Sequence, residues 1–181
     1  ALFFGARILG HAAPKNSLET KTRTAVLEQA ERQKSQDAAQ EPVGTPEPAV
    51  YESPVDFASL QEMNPDIYAW LYIPETDISY PILQSGDGDD EFYLNHDSTG
   101  KSSRDGSIFT QGVYNAKDFN DPVTLVYGHH MRSGAMFGNL QEIYSAQGGL
   151  KAHQAIVVYL PDRELRYQVF AAVPHDMRHI L

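Results

Sequence analysis

"EPVGTPEPAV", residues 41–50, sets three prolines and a glycine within ten residues. Proline removes an amide donor and fixes its own φ, so this stretch can enter neither a helix interior nor the middle of a sheet. It divides the chain in two, and the domain boundary falls near Tyr51. Upstream, "SLETKTRTAVLEQAERQKSQDAAQ" from Ser17 to Gln40 is rich in Ala, Glu, Gln, Lys and Arg, with Leu18, Val26, Leu27 and Ala30 as its apolar stripe. That pattern predicts a solvated helix with a weak apolar face. The chain opens at Ala1 with "ALFFGARILG", an apolar stretch interrupted by Arg7 and roughly half the length of a membrane span. A core strand, the tail of a signal peptide and the remnant of a membrane anchor all fit it, and the polar spacer that follows favours the anchor. Residues 1–10 are thus expected to be an anchor remnant, 11–50 a helical and Pro-rich spacer, and 51–181 the folded domain.

Beyond Tyr51 the pattern turns to β. "AWLYIP", "ISYPILQ", "GSIFT", "PVTLVYG", "QAIVVYLP" and "LRYQVFAAV" are short β-branched and aromatic runs bounded by turn residues, and Pro161 and Asp162 join the last two as a hairpin. Ser53 as N-cap, Pro54 at the first helical position and Asp56 three residues after the cap predict a short helix running to Met63, stopped by Asn64 and Pro65. Met136, Leu140 and Ile143 at helical spacing predict another between Ala135 and Tyr144. The expected class is mainly β with short helices at the edges, in one domain.

A net charge of -10, with 14 scattered Lys and Arg, argues against nucleic acid as a partner. Zero cysteines exclude disulfides, thiolate metal sites and thiol nucleophiles within these residues. "SGDGDDEF", from Ser85 to Phe92, lacks the alternating ligand series and distal Glu of a calcium loop and reads as a solvated acidic turn. Ser107 in "DGSIF" lacks the strand, turn and helix of a nucleophile elbow. His175 and His179 have i, i+4 spacing but read as surface residues near a chain end.

"TLVYGHHM", residues 124–131, places His129 and His130 after a run that predicts a buried strand. Successive strand side chains face opposite ways, so adjacent histidines are poor partners for one metal ion. Gly128 lets the backbone bring one imidazole to the mouth of the sheet. There it is either a satisfied polar residue or a general acid–base, and its chemistry alone leaves both open.

With these pieces in order, the chain from Val55 onward resembles the sortases, and specifically class B sortases. The matching phrases are "NPDIYAWLYIPETDISYPILQ", "FYLNHD", "GSIF", "TLVYGHHM" followed by "GAMFGNL", and "YQVFAA". The likeness covers the first half to two-thirds of the family's catalytic domain. It implies a closed β-barrel of the sortase type with peripheral short helices, tethered at the membrane on the extracytoplasmic face of a Gram-positive bacterium. Sortases are cysteine transpeptidases that cut a sorting signal after its threonine and pass the thioacyl-held protein to an amine on peptidoglycan or a pilin. Class B members favour signals resembling Asn-Pro-X-Thr-Asn.

Of the family's catalytic histidine, cysteine and arginine, only the histidine maps onto this chain, as His129; its implied role is to protonate the leaving amine and later accept a proton from the incoming nucleophile. Leu94 lies where class B sortases line the groove for the signal's proline, and Asp90 where a groove asparagine is expected. Arg163, Arg166 and Arg178 come too early to be the family's arginine. The chain ends at "HDMRHIL" before the cysteine strand, so an incomplete copy of a sortase, its last strands missing and inactive alone, is expected. The alternative is a non-catalytic β-domain that binds peptides. No cofactor and no metal are called for.

Overall fold

The computed structural model describes residues 17–37, 51–146 and 148–173. The expected anchor remnant, the Pro-rich part of the spacer and His175 and His179 lie outside the described residues. Helix α1 (Ser17–Asp37) is followed by α2 (Phe57–Met63) and strands β1 (Ile67–Tyr72) and β2 (Ser79–Leu83). After a single 3-10 turn, Phe92–Leu94, come β3 (Ile108–Phe109), α3 (Leu140–Ser145), α4 (Gly149–Ala152), β4 (Ala155–Tyr159) and β5 (Glu164–Gln168).

β1 organises the domain. Its "IYAWLY" run is buried at all six positions, because β1 is flanked by antiparallel β2 and β4 and covered on both faces. A register shift between Ile67 and Ala69 leaves Ile67 and Trp70 on the same face. That face packs Trp70, Tyr72, Leu83 and Tyr159 against Val26 of α1, Phe57 and Leu60 of α2, and Tyr93. The opposite face holds Tyr68, Leu71, Ile73, Ile82, Ile108 and Val158, with Phe137, Leu140 and Ile143 half-buried against them. Polar atoms in this core are matched: Trp70 Nε1 donates to Ser79 Oγ at 3.0 Å, and Tyr68 Oη and Thr110 Oγ1 lie 2.8 Å apart. Pro81 sits inside β2, where β3 pairs only at Ile82 and Leu83, so at Pro81 the strand is an edge on that side and tolerates a residue without N–H.

The expected mainly β class holds, and β4–β5 is the expected hairpin, closed by Leu160 N–H donating to Arg163 O at 2.8 Å. The described strands form a five-stranded sheet in the order β3-β2-β1-β4-β5 that does not close on itself, with two-residue β3 at one edge and β5 at the other. Other expectations are corrected. The "TLVYG" run forms no strand: Tyr127 makes one bridge to Phe109, and Leu125 N–H is taken instead by the Asn115 side chain at 2.9 Å. The helix expected from Ala135 starts only at Leu140, because Met136 bridges to His130 in left-handed backbone (φ 54°) and donates its N–H to Tyr80 Oη. Helix α2 begins at Phe57 with Asp56, not Ser53, as its cap; Asp56 accepts from Ser59 N–H at 3.0 Å. α1 is the expected helix but is not solvated all round. Val26 is fully buried, Thr22 is nearly so, and Ser98 Oγ donates to the buried Glu19 carboxylate.

The buried tyrosines give the fold an alkaline limit. Burial pushes the Tyr68 phenol up to about 12, against the hydrogen bond from Thr110, and burial likewise raises Tyr93 and Tyr159. An unfolded tyrosine ionises near 10. The stability that follows from these shifts is therefore fully present below about pH 10 and is lost as pH rises through the folded-state values. Unfolding by alkali, followed by circular dichroism and phenolate absorbance, is expected to set in above about pH 10 and to be cooperative. Phenolate absorbance rising fully, with its ordinary midpoint, while the fold persists would contradict these shifts.

Candidate functional site

The site is assembled by the long connections between β2 and α3, and its frame is a row of carbonyls at the end of the 3-10 turn. Tyr93 O accepts from Ser107 N–H at 2.9 Å, Asn95 O from Ser103 N–H at 2.8 Å, and His96 O from Ser107 Oγ at 2.9 Å. Between them, Leu94 O accepts from His129 Nε2 at 2.8 Å. A carbonyl can only accept, so Nε2 carries the proton. In the neutral ring Nδ1 is then the basic nitrogen.

His129 reaches this position because Gly128 precedes it. A Cβ on Gly128 would come within 2.4 Å of Ile108 Cδ1 and 2.8 Å of the Phe137 ring, so the backbone lies flat against β3 and the 137 turn. Phe137 N–H donates back to His129 O at 3.0 Å and fixes the segment from the other side. The half-buried imidazole thus stands on a rigid mount. His130 is exposed and meets the rest of the domain through its bridge to Met136.

Leu94 is half-buried, with its side chain on the core and its carbonyl on His129; the structure brings these two residues together. Asp90 stands four residues earlier, and its carboxylate accepts from Gly112 N–H at 2.6 Å, tying the acidic turn to the 111–126 loop. It is a loop staple here, its hydrogen bond going to the loop amide of Gly112 rather than to His129. That loop is itself braced from inside by Gln84, whose Nε2 donates to Thr110 Oγ1 and to Asn115 O at 3.1 and 2.9 Å. The loop leaves Val113, Tyr114 and Val123 exposed. Sequence reasoning singled out neither Gln84, Asn115 nor Gly106 of "DGSIF". The Asp-Gly turn signal was the available clue for Gly106, which adopts φ +58°. His96, by contrast, is structural: Nδ1 donates to Phe92 O at 2.7 Å and the ring stacks on Phe92 at 3.9 Å.

Chemically this is one oriented imidazole able to give and take a proton, beside a loop-framed surface, in a chain without cysteine. A Sortase domain family model matches residues 71–180, and the chain belongs to the sortase family. Within it, the chain is similar to the class B members. It is 42% identical to sortase B of Listeria monocytogenes over 98 residues, which are 54% of this chain and 38% of that protein. It is 34% identical to sortase B of Staphylococcus aureus over 116 residues, 64% of this chain and 46% of that one. The chain therefore spans less than half the length of these curated relatives. Among solved structures, a Staphylococcus aureus sortase B–substrate complex superposes with a TM-score of 0.57 at 30% identity, over 86% of this chain and 66% of that one.

Proposed function

We propose that the chain is the histidine-bearing part of a class B sortase, a cysteine transpeptidase that cleaves a sorting signal resembling Asn-Pro-X-Thr-Asn after its threonine. The protein so cleaved is attached to an amine of peptidoglycan or a pilin. The observation that carries this reading is the mount of His129, whose Nε2 is fixed by Leu94 O, which leaves Nδ1 as the basic nitrogen of the neutral ring. His129 protonates the departing amine of the cleaved bond and deprotonates the incoming amine, the two transfers that a thioacyl mechanism requires. Leu94 contributes its side chain to the wall that receives the signal's proline. Asp90, committed to Gly112, shapes the groove edge through the 111–126 loop. The open sheet closes into the family's β-barrel once further strands pair with its edges, and a membrane anchor, of which residues 1–10 are the remnant, tethers the domain on the extracytoplasmic face of a Gram-positive cell.

These 181 residues contain no cysteine, so the thiol of this reaction has to come from outside them, and the chain alone does not turn over. The same fact favours a second reading, a non-catalytic domain that binds peptides along the same surface. A fluorogenic Asn-Pro-X-Thr-Asn peptide separates the two. The gene product carrying this chain is expected to cleave it in a reaction blocked by thiol alkylation, whereas the 181-residue chain leaves it intact. Binding without any thiol-dependent cleavage by the gene product would establish the module instead.

A further inference from the structure

Gly106 packs against the carbonyl on which His129 rests. A Cβ there would lie 2.5 Å from Leu94 O, 2.8 Å from Tyr93 O and 3.0 Å from Leu94 C, all of them backbone atoms with no rotamer to yield. The 103–107 segment is held over the carbonyl row on both sides: Ser107 N–H and Oγ reach Tyr93 O and His96 O, Ser103 N–H reaches Asn95 O, and Gly106 N–H donates to Ser103 O at 3.3 Å. Leu94 O lies within this row and accepts from His129 Nε2 at 2.8 Å. We infer that Gly106 is a positioning residue, whose bare backbone clamps the Leu94 carbonyl and thereby fixes His129 in the Nε2–H tautomer with Nδ1 presented to the reacting groups.

The inference rests on His129 being the acid–base residue, and it adds which nitrogen does that work and what sets it. The hydrogen bond on one ring nitrogen decides the protonation of the other. Any side chain at residue 106 pushes the carbonyl aside, and the ring then loses its preference or rotates.

The test reads the tautomer directly, with no catalytic assay, so it can fail while the sortase reading stands, and the reverse. Long-range 1H–15N correlation spectra of the 181-residue chain, recorded at alkaline pH where imidazoles are neutral, are expected to show a single Nε2–H tautomer for His129. Gly106→Ala is expected to replace that pattern with mixed or Nδ1–H signals. Gly100→Ala is the matched control: Gly100 has φ +77°, the same unfavourable backbone region, but its Cβ meets nothing within 4 Å, so the tautomer should stay as in the parent chain. Ser107→Ala removes one clamp bond and adds no atom; it keeps the test alive if Gly106→Ala does not fold, and it is expected to yield a mixture of tautomers. The inference is overturned if the parent chain shows Nδ1–H, if Gly100→Ala loses the pattern as Gly106→Ala does, or if the folded Gly106→Ala and Ser107→Ala chains both keep the parent spectrum.

Discussion

Under the proposed function, His129→Ala is expected to lower the peptide-cleaving rate of the gene product that carries this chain by about 10²–10⁴-fold, the usual worth of a positioned acid–base group, whereas His130→Ala is expected to leave it nearly unchanged. The two residues are adjacent and chemically identical, so only their placement can separate them. His129 is half-buried with one ring nitrogen anchored on Leu94 O, and an anchored ring can present its second nitrogen at a fixed angle. His130 is exposed, and its structural contribution is a backbone bridge to Met136 that any residue can make. His129→Gln sharpens the experiment. A glutamine amide can still donate to Leu94 O but cannot shuttle a proton near neutral pH, so it should keep the fold and lose the rate as completely as alanine. Equal losses at residues 129 and 130, measured as kcat/KM with an amine acceptor present, would move the acid–base role elsewhere. So would near-normal activity of His129→Gln.

How far the sequence could be read depended on whether a residue's fate was decided by its neighbours in the chain or by partners far away. β1 was legible because six apolar residues in succession have no polar face to offer water, and the β4–β5 hairpin because Pro161 and Asp162 mark the turn between two β-branched runs. His129 was legible as a candidate through the glycine before it. What held it in place was not, since Leu94 O and Gly106 come from segments 35 and 23 residues earlier, counted from residue 129, and carry no periodic signal. The "TLVYG" run has every local property of a strand, yet among the described residues it pairs only through the Tyr127–Phe109 bridge: β3 is two residues long, and Asn115 claims the amide of Leu125. Met136 fits a helical stripe with Leu140 and Ile143, but its backbone is left-handed, which spacing cannot reveal. Asp56 outranked Ser53 as a cap because Ser59 offered it both an amide and a hydroxyl.

Helix α1 is the case where sequence and structure part most, and it yields the second large effect. Val26→Asp is expected to destabilise the domain by about 3 kcal/mol or more, since it forfeits a buried valine and places a carboxylate among Trp70, Leu60 and Tyr159. Leu27→Asp, one residue on and 38% exposed, should change stability by less than about 0.5 kcal/mol. The exposed ion pairs that also join α1 to the sheet turn, Arg23 with Asp77 and Lys34 with Glu75, are screened by water and salt and cannot replace that apolar contact. The cost of Val26→Asp has a ceiling, because the helix can leave its site and take the charge into water. Urea unfolding distinguishes the two responses. If α1 stays docked, the midpoint falls at constant m-value; if it detaches, the m-value falls too, because less surface is buried to begin with. Detachment would also release Ser98 from Glu19, and Ser98 O is bonded to Asn64, whose amide also donates to Tyr93 Oη. Tyr93 O lies in the carbonyl row beside Leu94, so a detached α1 should shift the His129 ring resonances as well. A Val26→Asp chain with the parent's midpoint and m-value would mean that α1 contributes nothing to the folded unit, and the link from helix to histidine would fall with it.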